Sequence, residues 1–191
     1  ITCGAPSAQQ ENLTGGMTGA YRNEGGTLLV TAKDGVLTAY ENNKGVWDKV
    51  RTWEQGGSIT RVLVASDGKH FAVFTSDGAV TSYDTSKEVL VAATRIDTAG
   101  SSLTLSSTGK YLAWYEPASL GSGKQQRCYA FVDLQSGAIT KSCEAVGLWD
   151  LVTEDNRTFA FSPDDKNVVF RSDRDGYQTP YRINLEKGLP K

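Results

Sequence analysis

His70 is the only histidine in the chain, so any Ser-His-Asp or Cys-His arrangement has to use it. It opens an apolar run beside Lys69, and no Gly-x-Ser-x-Gly segment occurs to raise a serine on a strand-to-helix elbow. One imidazole also excludes a multi-histidine metal site. Asp173-Arg174-Asp175-Gly176 and Pro163-Asp164-Asp165 gather carboxylates. A calcium loop needs more oxygen ligands at fixed spacing, and Asp and Gly recur at hairpin turns for backbone reasons alone. Gly121-Ser122-Gly123-Lys124 lacks the spacing and the strand-to-helix setting of a phosphate loop. These residues predict no catalytic, metal or cofactor site, and the chain is expected not to be an enzyme in itself.

The cysteines carry a more specific signal. Cys128 and Cys143 bracket two β-branched and aromatic runs around Asp133-Leu134-Gln135-Ser136-Gly137, which is turn chemistry. If Asp133 faces Ala138, the same register carries Cys128 directly opposite Cys143, close enough across neighbouring strands for a disulfide. A bridge of that kind closes a loop of about 15 residues and implies an oxidising compartment. The alternative is two unpaired thiols. Cys3 is then left as a free thiol, a link to another chain, or the partner of a cysteine beyond this sequence. Thr2 before it argues against lipid attachment. Asn12-Leu13-Thr14 and Asn156-Arg157-Thr158 are glycosylation sequons, relevant to a eukaryotic secreted protein.

These residues sit on a repeat. Gly35-Val-Leu-Thr-Ala-Tyr40-Glu41 and Gly78-Ala-Val-Thr-Ser-Tyr83-Asp84 match position for position, 43 residues apart. The turns Asn23–Gly26, Ser66–Lys69, Ser107–Lys110 and Pro163–Lys166 follow at spacings of 43, 41 and 56, the last stretched mostly by one insertion. Each unit reads as four short strands. In the second, Val62–Ala65 and Phe71–Phe74 are continuously apolar and are expected to be covered on both faces. Units lie over approximately 17–56, 57–97, 98–146 and 147–191, the last without its outer strand, and residues 1–16 form an extension or a poor closure strand. An all-β fold of about four four-stranded propeller blades is the expectation. A β-sandwich gives no reason for a self-match at this period.

Phe161-Ser162-Pro163-Asp164-Asp165-Lys166, followed by an apolar strand and Ser172-Asp173-Arg174-Asp175-Gly176, resembles the TolB-like WD40 repeat. Leu105–Ala113 is similar to a weaker copy. The resemblance implies propeller blades, which serve in periplasmic scaffolds, receptor domains and peptidase gates alike. Two departures stand out. Asp165 takes the place of the usual turn glycine, and no third strand ends in Trp-Asp, since Trp149-Asp150 lies at the approach to the fourth unit.

One stretch breaks the rhythm. Glu116–Gln126 lengthens the hairpin of the third unit, and Pro117, Leu120 and Lys124 are candidate partner contacts on that loop. Trp47, Trp53, Trp114 and Trp149 are spread through the units and are expected to pack between blades. The 191 residues carry 20 basic and 22 acidic side chains, for a formal net charge of −2, which speaks against a nucleic-acid footprint. No apolar run approaches a membrane-spanning length. With Ile1 first and no leader ahead of it, the chain is expected to have lost a leader or to be an excised piece.

Three functions follow as expectations. The first is a non-enzymatic secreted, periplasmic or cell-surface propeller that holds a protein partner, or a further chain completing the ring, through its faces, the 116–126 loop or its unpaired edge. The second is a propeller segment of a larger enzyme, such as a peptidase gate. The third is carbohydrate or small-molecule binding in a central channel.

Overall fold

The Asp-Gly and Asn-Glu-Gly-Gly turns fold the chain back on itself at short intervals, and the structure, a computed structural model, is built of strands. It describes residues 19–87, 92–96, 103–119, 125–145, 159–172 and 179–187, all of whose regular elements are β-strands. Four antiparallel meanders follow one another. The first holds β1 (Gly19–Arg22), β2 (Leu28–Lys33), β3 (Val36–Asn43) and β4 (Val46–Glu54). The second holds β5 (Ile59–Val64), β6 (His70–Thr75), β7 (Ala79–Asp84) and β8 (Ala92–Arg95). The third holds β9 (Thr104–Leu105), β10 (Tyr111–Ser119), β11 (Gln125–Asp133) and β12 (Ile139–Ala145). The fourth has three described strands, β13 (Ala160–Phe161), β14 (Asn167–Ser172) and β15 (Thr179–Asn184).

Side chains alternate across a strand, so one sheet has two faces to cover. Here successive sheets cover them for each other. Leu28, Val30, Leu37 and Trp53 of the first sheet pack on Phe71, Val73 and Tyr83 of the second. The opposite face of the same β6 strand, Ala72 and Phe74, packs with Leu112 and Trp114 of the third. Ala113, Tyr129 and Phe131 then meet Phe159, Val168 and Phe170 of the fourth. This explains why Phe71–Phe74 is continuously apolar: each successive side chain belongs to a different core. The Val62–Ala65 run meets that expectation in part: Val62 and Ala65 are buried, while Val64 and Leu63 pack against the first and second cores but stay half-buried. Trp53 and Trp114 pack between sheets as expected, Trp47 is half-exposed on β4, and Trp149 lies outside the described residues. Among the described residues no core joins the fourth sheet to the first. No helix of the described residues is long and apolar enough to cross a membrane.

Candidate functional site

The turns between the first and second strands of each sheet form a continuous rim. Gly26, Gly68 and Gly109 hold φ of +63°, +71° and +72° at equivalent places, where an L side chain is disfavoured. Space forbids one as well. A Cβ on Gly68 would lie 2.3 Å from Thr27 Oγ1, and one on Gly109 would lie 2.4 Å from His70 Cβ. Polar bonds run from each turn to the next. Asn23 Nδ2 donates to the Ser66 carbonyl at 3.3 Å, and the Asp67 amide donates to the Ser107 carbonyl at 3.0 Å.

The fourth turn breaks the glycine rule and shows why. Asp165 adopts φ +54° and is 5% exposed. Its carboxylate accepts hydrogen bonds from Ser106 Oγ at 2.5 Å, Thr108 Oγ1 at 2.6 Å and the Thr108 amide at 3.2 Å. The third and fourth sheets are therefore clamped through a side-chain carboxyl at the position where the other turns place a glycine. The replacement of the turn glycine was visible in the sequence; the Ser106–Thr108 receptor for its carboxylate was not.

His70 stands at the head of β6 between two carboxylates. Its Nδ1 lies 2.6 Å from Asp67 Oδ2 and its Nε2 3.5 Å from Asp84 Oδ2, with Lys87 Nζ 3.3 Å from the same Asp84 oxygen. The hydrogen bond with Asp67 raises the imidazole pKa above its ordinary value against the pull of burial. Burial works to raise Asp84, but the Ser86 hydroxyl and amide, Lys87 and His70 bring it down to about 2. Asp67 is likewise pushed up by burial and held low by His70 and the amides of Lys69 and His70. Ser86 gives its hydroxyl to Asp84 Oδ1 at 2.6 Å, not to the imidazole. The trio is a brace, ion-paired when His70 is protonated, that ties the β5–β6 turn to the end of β7, and among the described residues no nucleophile bonds to the imidazole. Among the described residues no three His, Cys, Asp or Glu side chains are placed to hold a metal.

The third sheet carries the cysteines. β11 and β12 pair with Cys128 opposite Cys143 and Val132 opposite Ile139, and the Asp133 amide donates to the Ala138 carbonyl at 3.0 Å. Cys128 is 4% exposed and disulfide-bonded. The expected 116–126 loop needs correction. β10 and β11 run on together for nine residues each, with Glu116 opposite Cys128, Pro117 opposite Arg127 and Ser119 opposite Gln125. Pro117 is thus a strand residue, because ladder pairing with β11 overrides the loop-like composition of Pro117-Ala118-Ser119. Leu120 and Lys124 lie outside the described residues, as do Cys3, Asn12 and Asn156.

Between the third and fourth sheets a cleft of about 160 Å³ remains, lined by Phe131, Asp133, Thr140, Ile183 and Leu185 among others. No sequence feature singled it out, since its walls come from strands more than forty residues apart.

No protein-family model matches the chain, and no curated protein matches it. In structure it is similar to a protein assigned as a 6-phosphogluconolactonase from Bacteroides uniformis (TM-score 0.45, 16% identity, 89% of this chain and 51% of that one). It is also similar to the Kuenenia stuttgartiensis hydrazine synthase (TM-score 0.47, 16% identity, 87% and 53%). A eukaryotic initiation factor gives a TM-score of 0.51 at 15% identity, over 87% of this chain and 36% of that one. The chain thus spans about half or less of the length of each. Identities this low speak to fold alone.

Proposed function

We propose that the four sheets are blades of a β-propeller of the TolB-like type that the fourth unit resembles. In this reading the chain is a non-enzymatic binding module of a secreted or cell-envelope protein, and it holds a protein partner. The observation that supports this is the chain of three inter-sheet cores, with β6 covered on one face by the preceding sheet and on the other by the following one. A rigid stack of this kind presents turns, hairpin tips and edges as recognition surfaces. The Cys128–Cys143 pairing is proposed as the disulfide that braces the extended third-sheet hairpin, and it favours an oxidising compartment.

The ends of the stack differ in chemistry, which speaks against closure of these four blades directly on one another. Thr38 and Tyr40, on the face of β3 that no described sheet covers, repeat Thr81 and Tyr83, a pair buried to 4% and 1% exposure where the second sheet meets the first. A further blade would cover the first sheet in the same way. The face of the fourth sheet that no described sheet covers carries Pro180 and Arg182 with Val169 and suits water better than a core. This asymmetry keeps a second reading in play, in which the blades belong to a larger protein whose chemistry lies elsewhere.

The test is retention of envelope-extract proteins by the immobilised chain, compared with a variant lacking Ser119–Lys124. Retention that the deletion weakens, at unchanged Tm, supports a binding module working through that hairpin. No retained protein overturns it. The intact mass of the native gene product separates the readings: about 20.6 kDa excludes the larger enzyme.

A further inference from the structure

The outer edge of the fourth sheet has a readable bonding pattern. The Leu185 amide donates to the Lys166 carbonyl at 2.8 Å, so position 185 faces β14. In an antiparallel ladder the main-chain groups of alternate residues face alternate neighbours. Ile183 and Tyr181 therefore also bond toward β14, opposite Val168 and Phe170. Arg182 turns both its N–H and its C=O outward. Asn184 turns its amide out as well, while its carbonyl closes the turn by accepting from the Lys187 amide at 3.2 Å. Pro180 has no N–H to offer. Among the described residues no strand pairs with this edge, which thus presents one complete two-bond pairing position, centred on Arg182.

The side chains divide as sharply. Ile183 and Leu185 point toward the third sheet and wall the cleft with Phe131 and Thr140. Arg182 points the other way, exposed and in no ion pair among the described residues. A strand laid antiparallel on β15 would stand one residue opposite Arg182 and two flanking residues opposite Tyr181 and Ile183. The flanking side chains would fall on the cleft side, over Thr140. In the three other sheets a strand of this sheet's own meander occupies that position.

We propose that the β15 edge captures an extended segment of a partner protein with the pattern apolar–acidic–apolar. The acidic residue pairs across the strands with Arg182, and one apolar side chain enters the cleft beside Ile183 and Phe131. Two main-chain hydrogen bonds at Arg182 set the register, and alternation does the rest. This rests on the binding-module reading and names its surface and ligand.

The probe is a fluorescein-labelled decapeptide centred on Val-Glu-Val, titrated by anisotropy against the full chain. Saturable binding is expected, with a Val-Lys-Val peptide weaker by on the order of threefold to tenfold. Arg182→Glu, a surface change that leaves Tm unaltered, should reverse that preference. Thr140→Trp should fill the cleft and weaken both peptides. Binding that does not saturate below about 1 mM overturns the proposal, as does a charge preference that Arg182→Glu leaves unreversed. Binding seen only after the chain is shortened to end at Lys187 gives the edge to residues 188–191 and overturns it too. A dimer that Arg182→Glu dissociates gives the edge to a second copy, and the proposal falls on that result as well. If the peptide fails while extract proteins are still retained by the Arg182→Glu chain, the edge inference falls and the binding-module reading stands.

Discussion

Replacing Asp165 separates two opposing effects that the structure superimposes at one turn. The residue sits at φ +54°, where a non-glycine residue is disfavoured by about 1 kcal/mol or somewhat more. Against that, its carboxylate satisfies Ser106, which is fully buried, and both the hydroxyl and the amide of Thr108. A hydrogen bond to a charged group contributes about 1.5–3 kcal/mol in mutational series, but burying the carboxylate itself has a cost, so the three bonds do not simply add. Asp165→Gly relieves the backbone and orphans the donors, for a net loss of about 2 kcal/mol. Asp165→Ala keeps the strain and orphans the same donors, for about 3 kcal/mol. Asp165→Asn keeps an acceptor and tolerates the left-handed turn, for about 1 kcal/mol. The ranking Asn, Gly, Ala is the signature of a clamp with a strain term. Urea unfolding followed by tryptophan fluorescence measures it. Because only the joint between the third and fourth sheets is touched, hydrogen exchange should accelerate at Val168 and Phe170 and stay unchanged at Val30 and Leu37. Asp165→Gly equal to or above the parent in stability, with exchange at Val168 unaltered, would mean that the turn is an ordinary glycine slot and that the clamp carries nothing.

The brace at His70 makes stability depend on pH. Its folded-state pKa is raised, so its contribution is complete below the unfolded value of about 6.5 and is lost as pH rises through the folded one. As the chain's only histidine it gives a single imidazole NMR titration, expected above 6.5, and His70→Gln should flatten that limb of the stability profile. Asp84, held at about 2, acts in the opposite sense: its contribution is present above the ordinary carboxylate range and disappears as pH falls toward 2. Gly109→Ala combines φ +72° with the clash against His70 Cβ and should cost several times more than Gly45→Ala, where φ is +93° but a Cβ meets nothing within 4 Å; thermal melts of the two variants compare them. Mass spectrometry of the unreduced protein should yield a Cys128–Cys143 linked peptide, and two alkylatable thiols there would dispose of the bridge.

The all-β architecture and much of its register could be read from the residues because turn chemistry is local. Asp133 and Ala138 fix the β11–β12 hairpin, and from that alone Cys128 falls opposite Cys143. Asp34-Gly35 and Asp77-Gly78 likewise place β2 against β3 and β6 against β7. The failures are of another kind. Pro117-Ala118-Ser119 has loop composition, and only the partner strand Gln125–Arg127 makes it a strand. Asp165 looks like every other turn aspartate until Ser106 and Thr108, nearly sixty residues earlier, are brought beneath it. The cleft beside Ile183 depends on how two sheets meet, and no local pattern encodes that.

Where sequence identity between units is highest, at Thr38-Ala39-Tyr40 and Thr81-Ser82-Tyr83, the two copies have different surroundings. Tyr83 stacks on Phe71 with ring centroids 4.9 Å apart and meets Trp53 edge-on, while Tyr40 is half-buried on a free face. A tyrosine that only needed to face water would be under no demand to match one that sits inside an aromatic cluster. On the proposed reading the match is kept because both tyrosines do the same work against a neighbouring blade, and the neighbour of the first sheet presents a Trp53-like side chain. The outward face of the fourth sheet makes no such demand, since exposed Arg182 stands where the other sheets bury Ala39, Ser82 and Phe131.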